Sequence, residues 1–127
     1  MSNESVRRCA DVFLCDFFWV LQKLERGELV AAQHLLHRSL SETNLRLLRE
    51  VRLRKGELLP SFGLGRKVEK LLRSEQLDRI QIEARLNRDE LQLAAWKAFK
   101  TLVQFVYELD PTWSVPIGFD GLLTHFR

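Results

Sequence analysis

The sequence has few of the residues and segments that define several common classes of protein. It contains two cysteines, Cys9 and Cys15, which are too few for a disulfide scaffold or a zinc site with four thiolates. No uncharged apolar run reaches the roughly 18 residues of a membrane span, and the N-terminus does not have the order of a signal peptide. We therefore expect a cytoplasmic protein with reduced core thiols and no membrane partner.

Proline is also scarce, and the chain between the prolines is rich in residues that helices tolerate. Pro60, Pro111 and Pro116 are the only prolines among 127 residues. Leu, Arg, Glu and Ala dominate the long intervals between them, and no alternation typical of strands persists. The hydrophobic fraction of 46% separates the chain from disordered sequences. We predict an all-α protein with a single domain spanning residues 1–127.

Apolar residues that recur at spacings of three and four predict the individual helices. We expect three long helices and two or three short ones. The long helices are predicted at about 4–25, 28–54 and 88–109, and the short ones at 66–73, 75–85 and 115–127. Gly27 ends the first helix, and Asn87 precedes the last long one as an N-cap residue. Because the turn at Gly27 is short, it joins helices of opposite direction, and we predict an antiparallel helical bundle.

Motifs that bind nucleotides or metals are nearly absent from the sequence. There is no Walker-type loop, no dinucleotide-binding glycine fingerprint and no His-Glu-x-x-His sequence. His34 and His37 lie one helical turn apart, but a metal site needs a further ligand, so we expect no metal here. Gly63 and Gly65 precede Arg66 in an arrangement that can bind phosphate, although a hinge before a helix is the interpretation that we prefer.

Basic residues are concentrated between residues 46 and 79. This segment holds ten basic and five acidic residues, a net charge of +5. A charge of this sign can contact phosphate groups of a nucleotide or RNA. Aromatic residues that stack on bases are missing there apart from Phe62. A solvated helix face explains the segment better, and we expect no nucleic-acid partner.

Four residues of the first two helices are the candidate ligand-binding residues. Asp16 lies in the most apolar helix, where burial of a carboxylate costs free energy unless the group is paired or hydrogen-bonded. Asp16 and Trp19 are i, i+3 neighbours that can line one pocket, to which Glu28 and Asn44 add polar groups from the second helix. A pocket of this composition suits a cationic or polyhydroxylated small molecule. An Asp16 side chain that simply faces water is the equal alternative.

The residues around the first turn resemble a known family. The first helix ends in Cys15-Asp-Phe-Phe-Trp-Val-Leu-Gln-Lys-Leu-Glu-Arg-Gly-Glu28, and the second contains Glu42-Thr-Asn-Leu-Arg-Leu-Leu48. Ile82-Glu-Ala-Arg-Leu-Asn-Arg-Asp-Glu-Leu91 then leads into the last long helix. Over about residues 5–110, this order resembles the C-terminal helical, substrate-binding domain of the antibiotic nucleotidyltransferases. The lincosamide type is the nearer match, and the aminoglycoside type resembles the chain more loosely.

The resemblance implies a binding domain without its catalytic partner. In that family the N-terminal domain carries a Gly-Ser turn followed by an Asp-x-Asp/Glu pair that binds two magnesium ions. This chain contains no Gly-Ser dipeptide and no such acidic pair after one. We therefore expect no nucleotidyl transfer by the chain alone and no cofactor in it. Magnesium and a nucleoside triphosphate are expected only in a catalytic partner, and the chain is either a stand-alone partner or a fragment of a longer protein.

The sequence thus predicts a non-catalytic helical domain, linked by resemblance to antibiotic resistance. It would bind a small polar molecule, a nucleotidyltransferase partner or both, through the four residues named above.

Two alternative functions stay open. Helical partners of minimal nucleotidyltransferases often belong to the HEPN group of RNases, in which Arg precedes His by a few residues on one helix. Here seven residues separate Arg26 from His34, and the interval crosses Gly27. The broad apolar surface of the first helix also fits a homodimer.

Overall fold

A computed structural model of the protein describes residues 1–57, 82, 84–116 and 118–119. Within these residues the regular structure is helical and no strand is present, so the described part of the protein is all-α. None of its helices has both the length and the apolar character needed to cross a membrane. The short helices predicted at 66–73, 75–85 and 115–127 lie wholly or largely outside the described residues, as does the glycine pair before Arg66.

The first helix, α1, spans Asn3–Glu25, within one residue of the predicted limits. It begins after Ser2, whose hydroxyl oxygen accepts a hydrogen bond of 3.1 Å from the backbone N–H of Ser5. A serine cap of this kind satisfies a backbone donor that has no partner inside the helix. Eight apolar side chains of α1 are buried at helical spacing and form its core face. They are Val6, Ala10, Phe13, Leu14, Phe17, Val20, Leu21 and Leu24.

The turn at Gly27 reverses the chain within three residues. Gly27 has a φ of 79°, in the left-handed region, where a side chain costs roughly 1–2 kcal/mol. The N–H of Glu28 donates to the carbonyl of Lys23 at 2.8 Å, and the N–H of Gly27 donates to the carbonyl of Leu24 at 3.1 Å. These two hydrogen bonds form a Schellman motif, which satisfies the last carbonyls of α1. The chain therefore returns along α1 directly after the turn.

The second helical stretch is continuous but not uniform. It consists of α2 (Leu29–Leu35), a π-helical segment (Leu36–Ser41) and α3 (Glu42–Arg54). The prediction of one regular α-helix over 28–54 is therefore wrong in the middle of the stretch. The end of α3 repeats the Schellman geometry of α1, with Gly56 at a φ of 83°.

The spacing of the buried residues explains the π-helical segment. Ala32, Leu36, Leu40 and Asn44 are all buried, and each lies four residues after the one before. In an α-helix of 3.6 residues per turn, a spacing of four drifts by about 40° at each step, so four such residues would leave the core face. A π-helical turn contains more residues than an α-helical turn. It therefore keeps this series turned towards the core.

The last described helix, α4, spans Arg88–Leu109, as predicted. The side-chain oxygen of Asn87 accepts hydrogen bonds from the backbone N–H groups of Asp89 at 2.9 Å and Glu90 at 3.2 Å. Asn87 is therefore the N-cap residue that the sequence predicts. Eight buried residues form the core face of α4. They are Leu91, Ala95, Ala98, Thr101, Leu102, Phe105, Val106 and Leu109.

Helices α1 and α4 pack against each other in opposite directions. Near the start of α1, the guanidinium of Arg7 contacts the carboxylate of Asp110, which directly follows α4. Further along α1, the ring of Phe17 stacks on that of Phe99, with centroids 5.1 Å apart. Later residues of α1 thus contact earlier residues of α4. This arrangement places the beginning of α1 beside the end of α4.

Helices α3 and α4 run in the same direction. The side-chain amide of Asn44 donates to the carbonyl of Ala98 at 3.0 Å. Ten residues later, the guanidinium of Arg54 donates to the carbonyl of Leu109 at 2.8 Å. Both contacts advance together along the two helices, so the pair is parallel and differs from the predicted antiparallel arrangement. A parallel pair is possible because the 30 or so residues between α3 and α4 are enough to return to the other end.

An aromatic cluster holds α1, α4 and the segment after α4 together. Phe17 contacts Trp96 edge to face, with centroids 5.1 Å apart. Phe119 lies beside Phe17 at 6.3 Å and beside Phe99 at 6.0 Å. Phe17 is fully buried, and burial of such a ring contributes about 1.5–3 kcal/mol. The cluster thereby fixes the buried side of α1 and leaves its opposite side to solvent.

Candidate functional site

An exposed tryptophan marks the side of α1 that faces away from the core. Trp19 is 47% exposed, an unusual degree for the largest apolar side chain. Asp16 and Lys23 lie three residues before it and four residues after it, so all three share one side of the helix. Val12, one turn before Asp16, is also exposed on this side. The side therefore combines an open aromatic surface with a carboxylate and an ammonium group.

Asp16 is tied to the second helical stretch. The hydroxyl of Ser39 donates a hydrogen bond to the Asp16 carboxylate, and both side chains are partly buried. Ser39 belongs to the π-helical segment, and single π-helical turns are frequent at functional sites. Because Ser39 contacts only one carboxylate oxygen, Asp16 keeps acceptor capacity for another donor. The hydrogen bond thus orients Asp16 without saturating it.

Glu28 lies at the turn end of the same surface. Its carboxylate is 3.7 Å from the ammonium of Lys23, and both side chains are partly open to solvent. An exposed ion pair of this kind contributes at most about 1 kcal/mol, so a ligand can separate the two side chains at little cost in free energy. We call the surface formed by Asp16, Trp19, Lys23, Glu28 and Ser39 the α1–α2 face. Three of the four predicted binding residues, Asp16, Trp19 and Glu28, lie on it.

The fourth predicted residue, Asn44, lies elsewhere. Its side chain is only 2% exposed and donates to the carbonyl of Ala98 on α4. Its side-chain oxygen has no hydrogen-bond partner among the described residues. A buried polar atom without a partner costs about 1–3 kcal/mol. The structure therefore places Asn44 in the core between α3 and α4, and does not bring it to the α1–α2 face.

The histidines and cysteines do not form a metal site in the described part of the chain. His34 and His37 are both exposed, and no group of three or more His, Cys, Asp or Glu side chains among the described residues is placed to hold a metal ion. Both thiols are free, and Cys9 is half-buried. Cys15 is exposed, so the expectation that both cysteines belong to the core is wrong for this residue.

An ionic cluster around the buried carboxylate of Asp110 has no counterpart in the sequence predictions, and its partners Arg7 and Thr112 are exposed. Asp110 is 1% exposed, and the guanidinium of Arg7 donates to its carboxylate at 2.6 Å. The hydroxyl of Thr112 donates to the other carboxylate oxygen at 2.6 Å, and the N–H of Thr112 does so at 3.3 Å. The hydrogen bonds from Arg7 and Thr112 lower the pKa of Asp110. The hydrogen bond and charge of Asp110 in turn raise the pKa of Arg7.

The sequence indicates the contact between Asp110 and Thr112 in this cluster, but not the contact with Arg7. Proline disfavours continuation of a helix at Asp110-Pro111, and an Asp followed two residues later by Thr is typical of a turn closed by the Asp side chain. Arg7 lies 103 residues away in the chain, and no local spacing connects it to Asp110. The cluster joins α1 to the turn after α4. Its groups are satisfied by one another, which is typical of a structural contact.

The described residues therefore define an all-α protein with an ionic cluster around the buried Asp110 carboxylate and an open surface that combines aromatic and charged groups. No family model, no curated protein and no solved structure matched this chain.

Proposed function

We propose that the protein is a non-catalytic helical binding domain that takes a small polar, cationic molecule at the α1–α2 face. This role is similar to that of the acceptor-substrate-binding part of lincosamide and aminoglycoside nucleotidyltransferases, which the sequence resembles. The observation that carries the proposal is the exposed ring of Trp19 on the same surface as the carboxylates of Asp16 and Glu28. Asn44 is no longer part of the proposed site.

The chemistry of the face favours a ligand with several donors and a positive charge. An indole ring attracts a cation placed over its face by about 0.5–2 kcal/mol. Asp16 is held by Ser39 before any ligand arrives, so less side-chain freedom is lost on binding. Glu28 becomes available when a ligand ammonium replaces Lys23. An amino sugar or another polyhydroxylated amine combines the required groups.

We propose a single domain over residues 1–127, with three long and two or three short helices. A small nucleotidyltransferase would supply magnesium and the nucleoside triphosphate, and would close the ligand site from the other side. The chain alone would then bind its ligand without transferring a nucleotide, in the cytoplasm.

Isothermal titration calorimetry with an aminoglycoside and a lincosamide tests the proposal. Trp19→Ala and Asp16→Asn should each weaken binding about tenfold, which corresponds to about 1.4 kcal/mol. Tyr107→Ala is the matched control for the ring, because Tyr107 is also an exposed aromatic residue but lies on α4. Glu42→Gln is the control for the carboxylate, since Glu42 is exposed and lies on α3. Binding that survives both Trp19→Ala and Asp16→Asn unchanged would refute the site.

Two other functions are alternatives with their own tests. The exposed apolar side chains of Val12 and Trp19 fit a homodimer, and light scattering that shows only monomer at high concentration would remove it. His34 lies near the start of the second stretch and is exposed, and a catalytic histidine of an RNase has to be accessible to its RNA substrate. RNA cleavage that disappears in His34→Ala would establish that activity, and intact RNA would exclude it.

A further inference from the structure

A strip of exposed side chains runs along the solvent side of α1. Val12 is 52% exposed and Trp19 is 47% exposed, and the exposed residue Cys15 lies between them. Spacings of three and four residues place all three on one side of the helix. We call this surface, together with Glu4 and Arg26 at its two ends, the α1 strip. Its middle is apolar and its ends are charged, which is typical of a protein–protein contact.

The two charged ends of the strip lie at equal distances from Cys15. Glu4 precedes Cys15 by eleven residues and Arg26 follows it by eleven, and both are exposed. Arg26 directly follows α1 and keeps helical backbone angles. Eleven residues make about three helical turns and about 16 Å, so both charges share the side of Cys15. The strip is therefore acidic at one end and basic at the other.

We propose that two copies of the chain pair through the α1 strip, with their α1 helices antiparallel about a two-fold axis at Cys15. Glu4 of each copy then faces Arg26 of the other copy. Trp19 of each copy packs against Val12 of the other, because these residues lie at similar distances on opposite sides of Cys15. A two-fold dimer requires such a self-complementary surface, on which every contact occurs twice.

The distribution of charge selects the antiparallel arrangement. In a parallel pair, Glu4 would face Glu4 of the other copy and Arg26 would face Arg26, and like charges in contact disfavour association. In the antiparallel pair, both ends of the strip bring opposite charges together. Glu4 is 3.3 Å from Arg8 within one copy, but both side chains are largely exposed to solvent, so the carboxylate can accept a second cation.

The dimer goes beyond the proposed function and does not depend on it. Cys15, Glu4 and Arg26 lie outside the α1–α2 face, whereas Trp19 belongs to both surfaces. A second copy and a cationic ligand would therefore compete for the ring of Trp19. A ligand that binds only the monomer shifts the equilibrium towards the monomer.

Reversal of the two charges tests the pairing of Glu4 with Arg26. In sedimentation equilibrium, we expect a dimer of the natural protein and weaker dimers of Glu4→Arg and of Arg26→Glu, each of which brings like charges together. A mixture of these two variants should dimerise again, because both ends of the mixed dimer then hold opposite charges. A loss of helix stability in either variant would not be restored by mixing, so the mixture separates the two causes.

Truncation of the ring tests the apolar middle of the strip. Trp19→Ala should weaken dimerisation at least tenfold, as for a tryptophan at the centre of an interface. Tyr107→Ala is the matched control, because Tyr107 is an exposed aromatic residue of α4 and should leave the dimer unchanged.

Oxidation by copper(II) phenanthroline tests the position of the axis. Packed helices have axes about 8–10 Å apart and Cα atoms about 2.3 Å from each axis. Two Cys15 residues that face each other then have Cα atoms about 5 Å apart, which a disulfide can span. Each thiol loses a proton and an electron to the copper reagent, and a disulfide joins the chains. We expect a covalent dimer of the natural protein and none of Cys15→Ser.

A displaced cysteine controls for random collisions between copies. Tyr107→Cys in the Cys15→Ser background places an exposed thiol on α4 and should cross-link much more slowly than the natural protein. Three results would overturn the proposal: a monomer at millimolar concentration, a mixture of the charge variants that dimerises no better than either alone, and equal rates of cross-linking at positions 15 and 107. A dimer with no ligand binding would instead contradict only the proposed function.

Discussion

Asp110 and Asp16 both join α1 to another part of the chain, yet their surroundings differ in kind. The Asp110 carboxylate is 1% exposed and accepts hydrogen bonds from Arg7 and from two groups of Thr112. Asp16 is half-buried and accepts from Ser39. A carboxylate whose oxygens are all satisfied has little left for a ligand, whereas a partly satisfied one is oriented and still available. The comparison separates a contact that stabilises the fold from a contact that prepares a binding surface.

The largest expected effect on stability is that of Asp110→Asn. The amide loses the charge that Arg7 faces, and its NH2 group opposes the donor of either Arg7 or Thr112, because only one oxygen acceptor is left. We expect a clear fall in the midpoint of thermal unfolding, measured by circular dichroism. Asp16→Asn is the matched change on the open surface and should lower the midpoint much less. Equal falls in the two variants would show that the two carboxylates do not differ as described.

The same pair of variants predicts a dependence on pH. The hydrogen bonds from Arg7 and Thr112 hold the pKa of Asp110 below its unfolded value of about 3.9. The stabilisation by Asp110 is therefore fully present above about pH 4 and is lost as the pH falls through the lower, folded pKa. Urea unfolding of the natural protein and of Asp110→Asn should give a difference in unfolding free energy that is constant near neutral pH and shrinks in acid. A difference that grows in acid would contradict this assignment.

Asn44 offers an intermediate case, since it is buried but only partly satisfied. Asn44→Ala removes the donor to the Ala98 carbonyl and should cost about 1–3 kcal/mol in unfolding free energy. Asn44→Leu fills the space again and removes the side-chain oxygen that has no partner in the described part of the chain. It should therefore cost less than Asn44→Ala. Denaturant unfolding measures both, and a neutral Asn44→Ala would show that the hydrogen bond contributes nothing.

The smallest expected effect on stability is that of Ser39→Ala. It removes one partly exposed hydrogen bond to Asp16 and should cost about 0.5–1.5 kcal/mol. Because Asp16 then loses its fixed orientation, binding of a cationic ligand at the α1–α2 face should also weaken. Ser41→Ala, in the same π-helical segment, is the control. Calorimetric affinities that are equal in the two serine variants would remove Ser39 from the binding surface.

The parts of the fold that sequence reasoning predicted depend on nearby residues. The limits of α1 and α4 follow from apolar spacing, the turn at Gly27 and the cap at Asn87. The π-helical segment was missed because a period of 3.6 was assumed, although the four-residue spacing of the buried series carried the signal. The spacing of apolar residues also does not predict whether two helices are parallel or antiparallel when a long connection separates them, as it separates α3 from α4.

In the candidate site, too, features that depend on nearby residues could be predicted, and contacts between distant residues could not. An aspartate and a tryptophan three residues apart share one side of a helix, so the joint placement of Asp16 and Trp19 could be foreseen. Asn44 was misplaced because its burial depends on Ala98, 54 residues further along the chain. The pairing of Arg7 with Asp110 could not be foreseen either, because only the packing of α1 on α4 brings these residues together.

The long stretch of chain between α3 and α4 also has a consequence for the order of folding. The contacts between α1 and the second stretch close short loops, starting at Gly27, whereas the contact of Asn44 with Ala98 closes a loop of 54 residues. Closure of a longer loop costs more conformational entropy, and this cost comes before the contact that closes the loop is formed. The α1–α2 hairpin is therefore expected to form early and α4 to dock late. Substitution of Gly27 would then mainly slow folding, and loss of the Asn44 contact would mainly speed unfolding.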